Sequence, residues 1–334
     1  MACTDGTHRG LQIANFTWPG VAAGQHFDRV AAVIVTAEES GFDTVFVMDH
    51  FFQLPLIGPL EVEMFEAYTL LDALAARTTT ARLGTLVTGV TYRNPTLLAK
   101  AVTALDIAFG AARCSESARP ATTPSTRRST CGSRRWPSAT SGPRTRCGSA
   151  ARCSPREEHR RRPPPLRYRC ASNSPAPITP GAAPILVGGS GERKTFGLAA
   201  KYADELNVNA SFVDLPRKVA ALVGHLDALG RDRSEITVTC LGTIVTAPTH
   251  EAAAAKVARP LRSRGLDDPD AVLADAELTA GLLPRFLWGD ADDVAAQVAT
   301  LRAAGVDGVV VNMILDGHDV DSVALAGTLT KALA

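Results

Sequence analysis

Pro184-Ile-Leu-Val-Gly-Gly-Ser-Gly-Glu-Arg-Lys-Thr-Phe-Gly-Leu-Ala-Ala-Lys-Tyr202 is the stretch on which the reading of this chain turns. Ile185, Leu186 and Val187 form a short apolar run, which predicts a strand buried on both faces. Gly188, Gly189, Ser190 and Gly191 end that run. Immediately beyond them Phe196, Leu198, Ala199 and Tyr202 fall at helical spacing, so a helix is expected over Arg193 to Tyr202. A strand that passes through glycines into a helix leaves backbone N–H groups converging on one spot, with the positive end of the helix dipole behind them. Without Cβ atoms a phosphate can come close to that backbone, and the Ser190 hydroxyl adds a donor. A tight connection that holds no ligand fits the same residues when they are taken alone.

The strand-then-helix rhythm continues in both directions. Upstream, strands are expected at Leu11 to Phe16, Thr44 to Met48 and Arg82 to Thr88, with helices at Asp28 to Ser40, Phe65 to Thr78 and from Pro95 onward. Pro95 suits a first helical turn, and Leu97, Leu98, Ala101, Val102 and Leu105 supply its apolar stripe. Downstream, strands are expected at Asp204 to Asn209, Ile236 to Val245 and Gly308 to Ile314. Helices are expected at Asp214 to Leu229, Glu251 to Leu261, Ala291 to Ala304 and Ser322 to Leu333, and Gly265 to Asp275 reads as an acidic loop. Regular alternation argues for a parallel sheet with helical crossovers. Seven strands are visible, with one gap where a fourth would sit, and eight such units close into a barrel. The expected fold is therefore an α/β, (β/α)8 TIM barrel over residues 1–334, a single domain interrupted at about 112–172.

Composition narrows the function. A chain of 334 residues that is 46% hydrophobic can bury a large core, and a net charge of +1 gives no general attraction to nucleic acid or anionic membrane. No stretch approaches a membrane span, and Met1 to Gly10 has no apolar signal core, so a cytoplasmic location is expected.

Arg113 to Ser172 differs in kind from its surroundings. It holds fifteen arginines, no lysine, aspartate, valine or isoleucine, and a single leucine, Leu166. Such a composition cannot bury enough apolar surface to offset chain entropy. An Arg-rich nucleic-acid-binding insert would need more stacking aromatics than Trp136 and Tyr168. A metal site would need paired ligands, yet Cys114, Cys131, Cys147, Cys153 and Cys170 form no C-x-x-C pair, and only His159 is near; no metal is expected. The third reading, which the composition favours, is coding sequence read out of frame, because GC-rich codons read one base off give this mixture of Arg, Ala, Pro, Ser, Thr, Gly, Cys and Trp. On that reading the segment is irregular, largely exposed chain with little or no barrel strand.

Several runs outside that segment resemble the luciferase-like (bacterial luciferase superfamily) oxidoreductases, and more narrowly their coenzyme F420-dependent branch. They are Asn15 to Pro19, Val47 to Phe52, Leu86 to Pro95, Leu98 to Asp106, Asn173 to Pro175, Pro184 to Lys194 and Tyr202 to Asp204. The family continues after Leu-Asp with a Ser-Gly-Gly-Arg type turn and a fourth strand; neither is found between Ile107 and Ser172, and the likeness resumes at Asn173.

The resemblance implies hydride transfer between deazaflavin F420 and a small organic substrate, with an FMN-dependent monooxygenase on the same fold as the alternative. A homodimer is compatible with it. So is an inactive, damaged barrel, or a barrel carrying an Arg-rich nucleic-acid-binding insert. Asp49 and His50 follow the strand at Thr44, where barrel enzymes place their chemistry, and the resemblance sets this pair beside the redox ring as catalytic candidates. Imidazole suits proton transfer near neutral pH, although a strand-end histidine bonded to a loop is the plainer reading of the residue alone. The resemblance further implies a non-proline cis peptide at Leu86-Val87 backing the ring, with Thr88 at the ring edge. It implies a phosphate cradle at Gly188, Gly189, Ser190 and Gly191, with added charge from Arg193 and Lys194. Phe16, Trp18 and Asn207, with Asn209 beside it, are the expected pocket walls.

Overall fold

The computed structural model describes residues 8–55, 57–89, 91–109, 174–179, 184–263 and 265–331. Strand β1 (His8–Ile13) is followed by helix α1 (His26–Ser40), β2 (Thr44–Val47), α2 (Ala67–Ala75), β3 (Arg82–Thr85) and α3 (Pro95–Phe109). The chain resumes with β4 (Leu186–Gly189), α4 (Lys194–Tyr202), β5 (Glu205–Val208), α5 (Leu215–Asp227), β6 (Thr237–Thr246) and α6 (His250–Ser263). Two short helices, α7 (Pro269–Ala274) and α8 (Ala276–Leu282), lead to β7 (Phe286–Gly289), α9 (Ala291–Ala303), β8 (Gly308–Asn312) and α10 (Val320–Lys331).

Every strand pairing is parallel, and the main path runs β3-β2-β1-β8-β6-β5-β4. That is a curled parallel sheet wound as in a (β/α)8 barrel, with β7 off the path and no pairing between β3 and β4 among the described residues. Alternation along the strands separates two layers. Leu11, Val45, Val47, Leu83, Val187, Leu206, Val208, Val238, Val309 and Val311 face the helices in the main core. Phe46, Leu86, Leu186 and Val310 face inward and form a smaller core with Val87 and Leu241. This inner set draws on both ends of the strand path. A Cβ placed on Gly188 of β4 would lie 2.4 Å from Val87 Cγ1, just beyond β3, so the sheet curls until its outer strands nearly touch. Among the described residues β3 pairs only with β2 and β4 only with β5. The expected irregular chain over 112–172 lies outside the described residues.

Two expectations are corrected here. The Gly265 to Asp275 stretch contains α7, because Asp268 caps it through Ala271 N at 3.0 Å. Asp275 then caps α8 through Glu277 N and Leu278 N. The acidic residues that suggested a loop are N-caps. Strand β7 was not expected; it pairs with Thr243 to Thr246 at the far end of β6, outside the main path. Four residues with Gly289 at φ +129° carry too little pattern to be told from a turn. Among the described residues no helix is long and apolar enough to cross a membrane.

Candidate functional site

Parallel strands deliver their C-terminal ends to one face, and the residues that follow β2, β3 and β4 meet there. Asp49, two residues beyond β2, is buried and fully engaged: its carboxylate accepts from Arg93 Nη1 at 2.6 Å, Arg93 Nη2 at 2.9 Å and Gly89 N at 2.8 Å. Arg93 also reaches Glu66 and lies 4.8 Å from the centre of the Tyr68 ring. Partial burial works against the guanidinium charge, but its hydrogen bonds with Asp49 and Glu66 overcome this and raise its pKa above the ordinary value. Asn94 anchors the next helix, accepting from Thr96 N at 2.8 Å, while Arg93 clamps Asp49.

His50 is half-buried beside this clamp, and no hydrogen-bond partner meets its ring among the described residues. Burial pushes its pKa below the ordinary imidazole value, with the Asp49 charge pulling the other way. The side chain is accordingly biased toward the neutral, proton-accepting form at neutral pH. Phe51 and Tyr92 stack at 4.4 Å next to it, and at 55% and 37% exposure they form an aromatic rim open to solvent.

Beyond β3, the Leu86-Val87 peptide is cis, as expected. The Leu86 carbonyl accepts from Gln12 Nε2 at 2.6 Å, and Gln12 in turn meets Asn312, which accepts from Thr243 Oγ1 at 2.8 Å. A buried polar chain therefore supports this segment from β1, β8 and β6. Thr88 is buried; its hydroxyl is shared with Tyr68 Oη at 2.6 Å and Thr85 Oγ1 at 2.5 Å, so it is committed to the scaffold.

The glycine loop after β4 is built differently from its sequence reading. The space beside Gly188 belongs to Val87, not to a ligand. Gly189, at φ +146°, and Gly191 make room for Thr195: their added Cβ atoms would lie 3.2 Å and 3.0 Å from its side chain. The start of α4 carries no side-chain cap; within it Phe196 N donates to Gly191 O at 3.1 Å. Lys218, from α5, donates to Ser190 O at 2.8 Å and lies 2.9 Å from Glu192, which Arg217 also meets. Asn209 N bonds Gly189 O at 3.4 Å, and the Asn209 side chain accepts from Arg285. Lys218, Arg217 and Arg285 carry no local sequence signal; only the folded barrel brings them to this loop.

The expected walls are placed deeper than an open pocket requires. Phe16 is fully buried, edge-on to Phe65 at 5.5 Å. Trp18 donates its indole N–H to His318 O at 3.3 Å, tying the loop after β1 to the loop after β8. Asn207 is 2% exposed inside the barrel and donates to Thr239 Oγ1 at 2.9 Å. Asp49–His50, Leu86–Thr88 and the glycine loop are the expected residues that the fold does bring together. Among the described residues no cluster of metal-ligating side chains occurs, and burial pushes the Cys240 thiol up to about 12.

The model of the luciferase-like monooxygenase family matches residues 7–110 and 156–308 of the chain. No curated protein matches it by sequence. Among solved structures it is similar to a coenzyme F420-dependent tetrahydromethanopterin reductase from Methanopyrus kandleri, at 18% identity and TM-score 0.62, covering 96% of this chain and 97% of that one. It is similar to an F420-dependent secondary alcohol dehydrogenase in complex with an F420-acetone adduct, at 17% identity and TM-score 0.62 over 97% and 99% of the two chains. It is also similar to a type II Baeyer-Villiger monooxygenase from Pseudomonas putida in complex with FMN, at 17% identity and TM-score 0.60 over 98% of each chain.

Proposed function

The chain belongs to the luciferase-like monooxygenase family, and from that premise we propose that it moves a hydride between the deazaflavin coenzyme F420 and a small organic substrate. The observation that carries this reading is the convergence of three consecutive strand ends, with Val87 packed into the space beside Gly188. The residues present fit a cofactor that bears a phosphate: the start of α4 has no side-chain cap, Ser190, Arg193 and Lys194 lie at its threshold, and Lys218 reaches the same turn through Ser190 O. Gly189 and Gly191 would hold that group with their backbone. F420, when bound, supplies the acceptor or donor of the hydride.

His50 is assigned the accompanying proton, because it is the half-buried imidazole that follows Asp49, the carboxylate bound to Gly89 N, and is biased toward its neutral form. Asp49 is given a positioning role in place of the catalytic one its sequence suggested. With both oxygens held by Arg93 and Gly89, it fixes the loop after β2 against the loop after β3. Phe51 and Tyr92 form an apolar rim for an organic substrate. The preference for F420 over FMN rests on the runs Val47 to Phe52 and Leu86 to Pro95 and on the two F420-dependent proteins of similar structure. The FMN monooxygenase reading is favoured by the Pseudomonas putida protein and differs in cofactor affinity.

Titration of the purified protein with F420 and with FMN, followed by fluorescence quenching, tests the choice. Tighter binding of F420 is expected, and tighter binding of FMN would overturn it. His50→Ala should lower turnover by about 10²–10⁴-fold while cofactor affinity stays within a few-fold. Unchanged turnover would return His50 to the scaffold.

A further inference from the structure

A half-open cavity of about 330 Å³ lies away from the three strand ends, between β7, the helices α7 and α8, the starts of α6 and α9 and the turn after β5. It shares no residue with Asp49–His50, Leu86–Thr88 or Gly188–Gly191. Its walls are flat and apolar: Phe212, Phe286 and Trp288 face it together with Leu273 and Leu283. That size sits at the lower end of small-molecule sites and admits one or two rings.

The polar groups on the wall are nearly all spent. Gln297 accepts from Trp288 N at 3.1 Å and donates to Trp288 O at 2.7 Å and Asp293 O at 3.0 Å. Thr279 donates its hydroxyl to Val272 O at 2.8 Å. His250 is the exception. Its Nδ1 meets Asp293 Oδ2 at 2.7 Å, and because a carboxylate only accepts, Nδ1 carries the proton. Asp293 is itself fixed, accepting from Asp290 N at 3.1 Å, and the His250 ring lies 5.1 Å from the Trp288 ring. Among the described residues nothing meets His250 Nε2, and the side chain, 51% exposed, stands at the mouth of the cavity. The carboxylates of Asp293, Glu251 and Asp290 all act on the ring and, led by the Asp293 hydrogen bond, raise its pKa.

We propose that this cavity is a binding site for a small uncharged hydroxyaromatic compound, its ring among Phe212, Phe286 and Trp288 and its hydroxyl on His250 Nε2. A hydroxyl suits either state of the imidazole, donating to a bare Nε2 or accepting from Nε2–H. Three carboxylates around one imidazole disfavour an anion, which excludes aromatic carboxylates as the preferred class. The oriented His250–Asp293 pair supplies direction, and the aromatic walls supply the contact area.

Isothermal titration of the full chain with 2-naphthol, naphthalene and 2-naphthoate at neutral pH tests the proposal. The expected result is 2-naphthol binding about tenfold or more tightly than either of the others, a preference of about 1.4 kcal/mol. His250→Phe should remove the advantage of naphthol over naphthalene and keep the apolar contact. Long-range ¹H–¹⁵N spectra of the unmodified protein give a readout independent of any variant, and the His250 Nε2 resonance should shift when 2-naphthol is added. Equal affinity for the three probes, an unshifted Nε2, or a naphthol preference that survives His250→Phe would each overturn the proposal.

Discussion

At the N-terminal end of the barrel, Arg82 lies 3.7 Å from Asp43, 4.0 Å from Glu205 and 3.2 Å from His8 Nδ1. At the C-terminal end, Arg93 grips Asp49 and Glu66, but among the described residues no hydrogen-bond partner meets the neighbouring imidazole of His50, and the helix after β4 starts without a side-chain cap. Both ends gather charge from several strands. The lower end uses its arginine to join β2, β3 and β5. The upper end uses its arginine to immobilise one carboxylate, so that the groups around it stay available. Charge alone therefore does not mark the site in this barrel; what sets the upper end apart is an imidazole that no hydrogen bond holds among the described residues.

The most severe way to break the upper end is to remove its clamp. Arg93→Met leaves the Asp49 carboxylate, 2% exposed, without its counter-ion. A loss of about 3–5 kcal/mol in unfolding free energy is expected. Chemical denaturation measures it, and a loss no larger than that of an exposed ion pair would mean that Asp49 finds water or another partner. Gly188→Val attacks the same end by overpacking. Its first side-chain carbon would meet Val87 at 2.4 Å, so about 1–3 kcal/mol of stability should be lost together with cofactor affinity. Retained cofactor binding in a folded Gly188→Val protein would separate the Val87 contact from the site.

A smaller effect sharpens the contrast with the scaffold. Glu38 accepts from Thr79 N, Ala81 N and the hydroxyls of Thr79 and Thr80 and stitches α1 to the turn before β3. Partial burial would raise its pKa, but the hydrogen bonds from Thr80, Thr79 and Ala81 prevail and bring it from 4.5 to about 2. The folded carboxylate thus holds its proton less tightly than the unfolded one. Its contribution should be complete above about pH 4.5 and disappear as the pH falls toward about 2. Glu38→Gln should cost about 1 kcal/mol at neutral pH and flatten that acid limb, with no change in cofactor affinity. An unaltered acid limb would show that Glu38 is not its source.

The parts of this architecture that local pattern can encode were legible in advance. The alternation of apolar strands with helices of helical period gives the barrel order, and Gly41 and Pro95 bound α1 and α3 where expected. The cis Leu86-Val87 peptide was anticipated through the likeness to known enzymes rather than from its residues. What could not be read depends on contacts distant in the chain. Gly188 looked like a ligand's space until Val87 filled it, and Phe16 and Asn207 looked like walls until the fold buried them. Thr88 was expected at the ring edge, and in the fold its hydroxyl is shared with Tyr68 and Thr85. Lys218 reaches Ser190 across 28 residues, and nothing at Lys218 itself announces it.

The division between the two ends is tested most directly by titrating F420 against the unmodified protein, Gly189→Val and Arg82→Met. Gly189 sits at φ +146°, and its added side chain would press on Thr195 at the start of α4, whereas Arg82 lies at the opposite end of the strands. Gly189→Val should lose at least about tenfold in affinity, or about 1.4 kcal/mol. Arg82→Met should be less stable yet bind F420 as the unmodified protein does. Equal F420 affinity in the unmodified protein and Gly189→Val, or no measurable F420 binding in any of the three, would contradict the account.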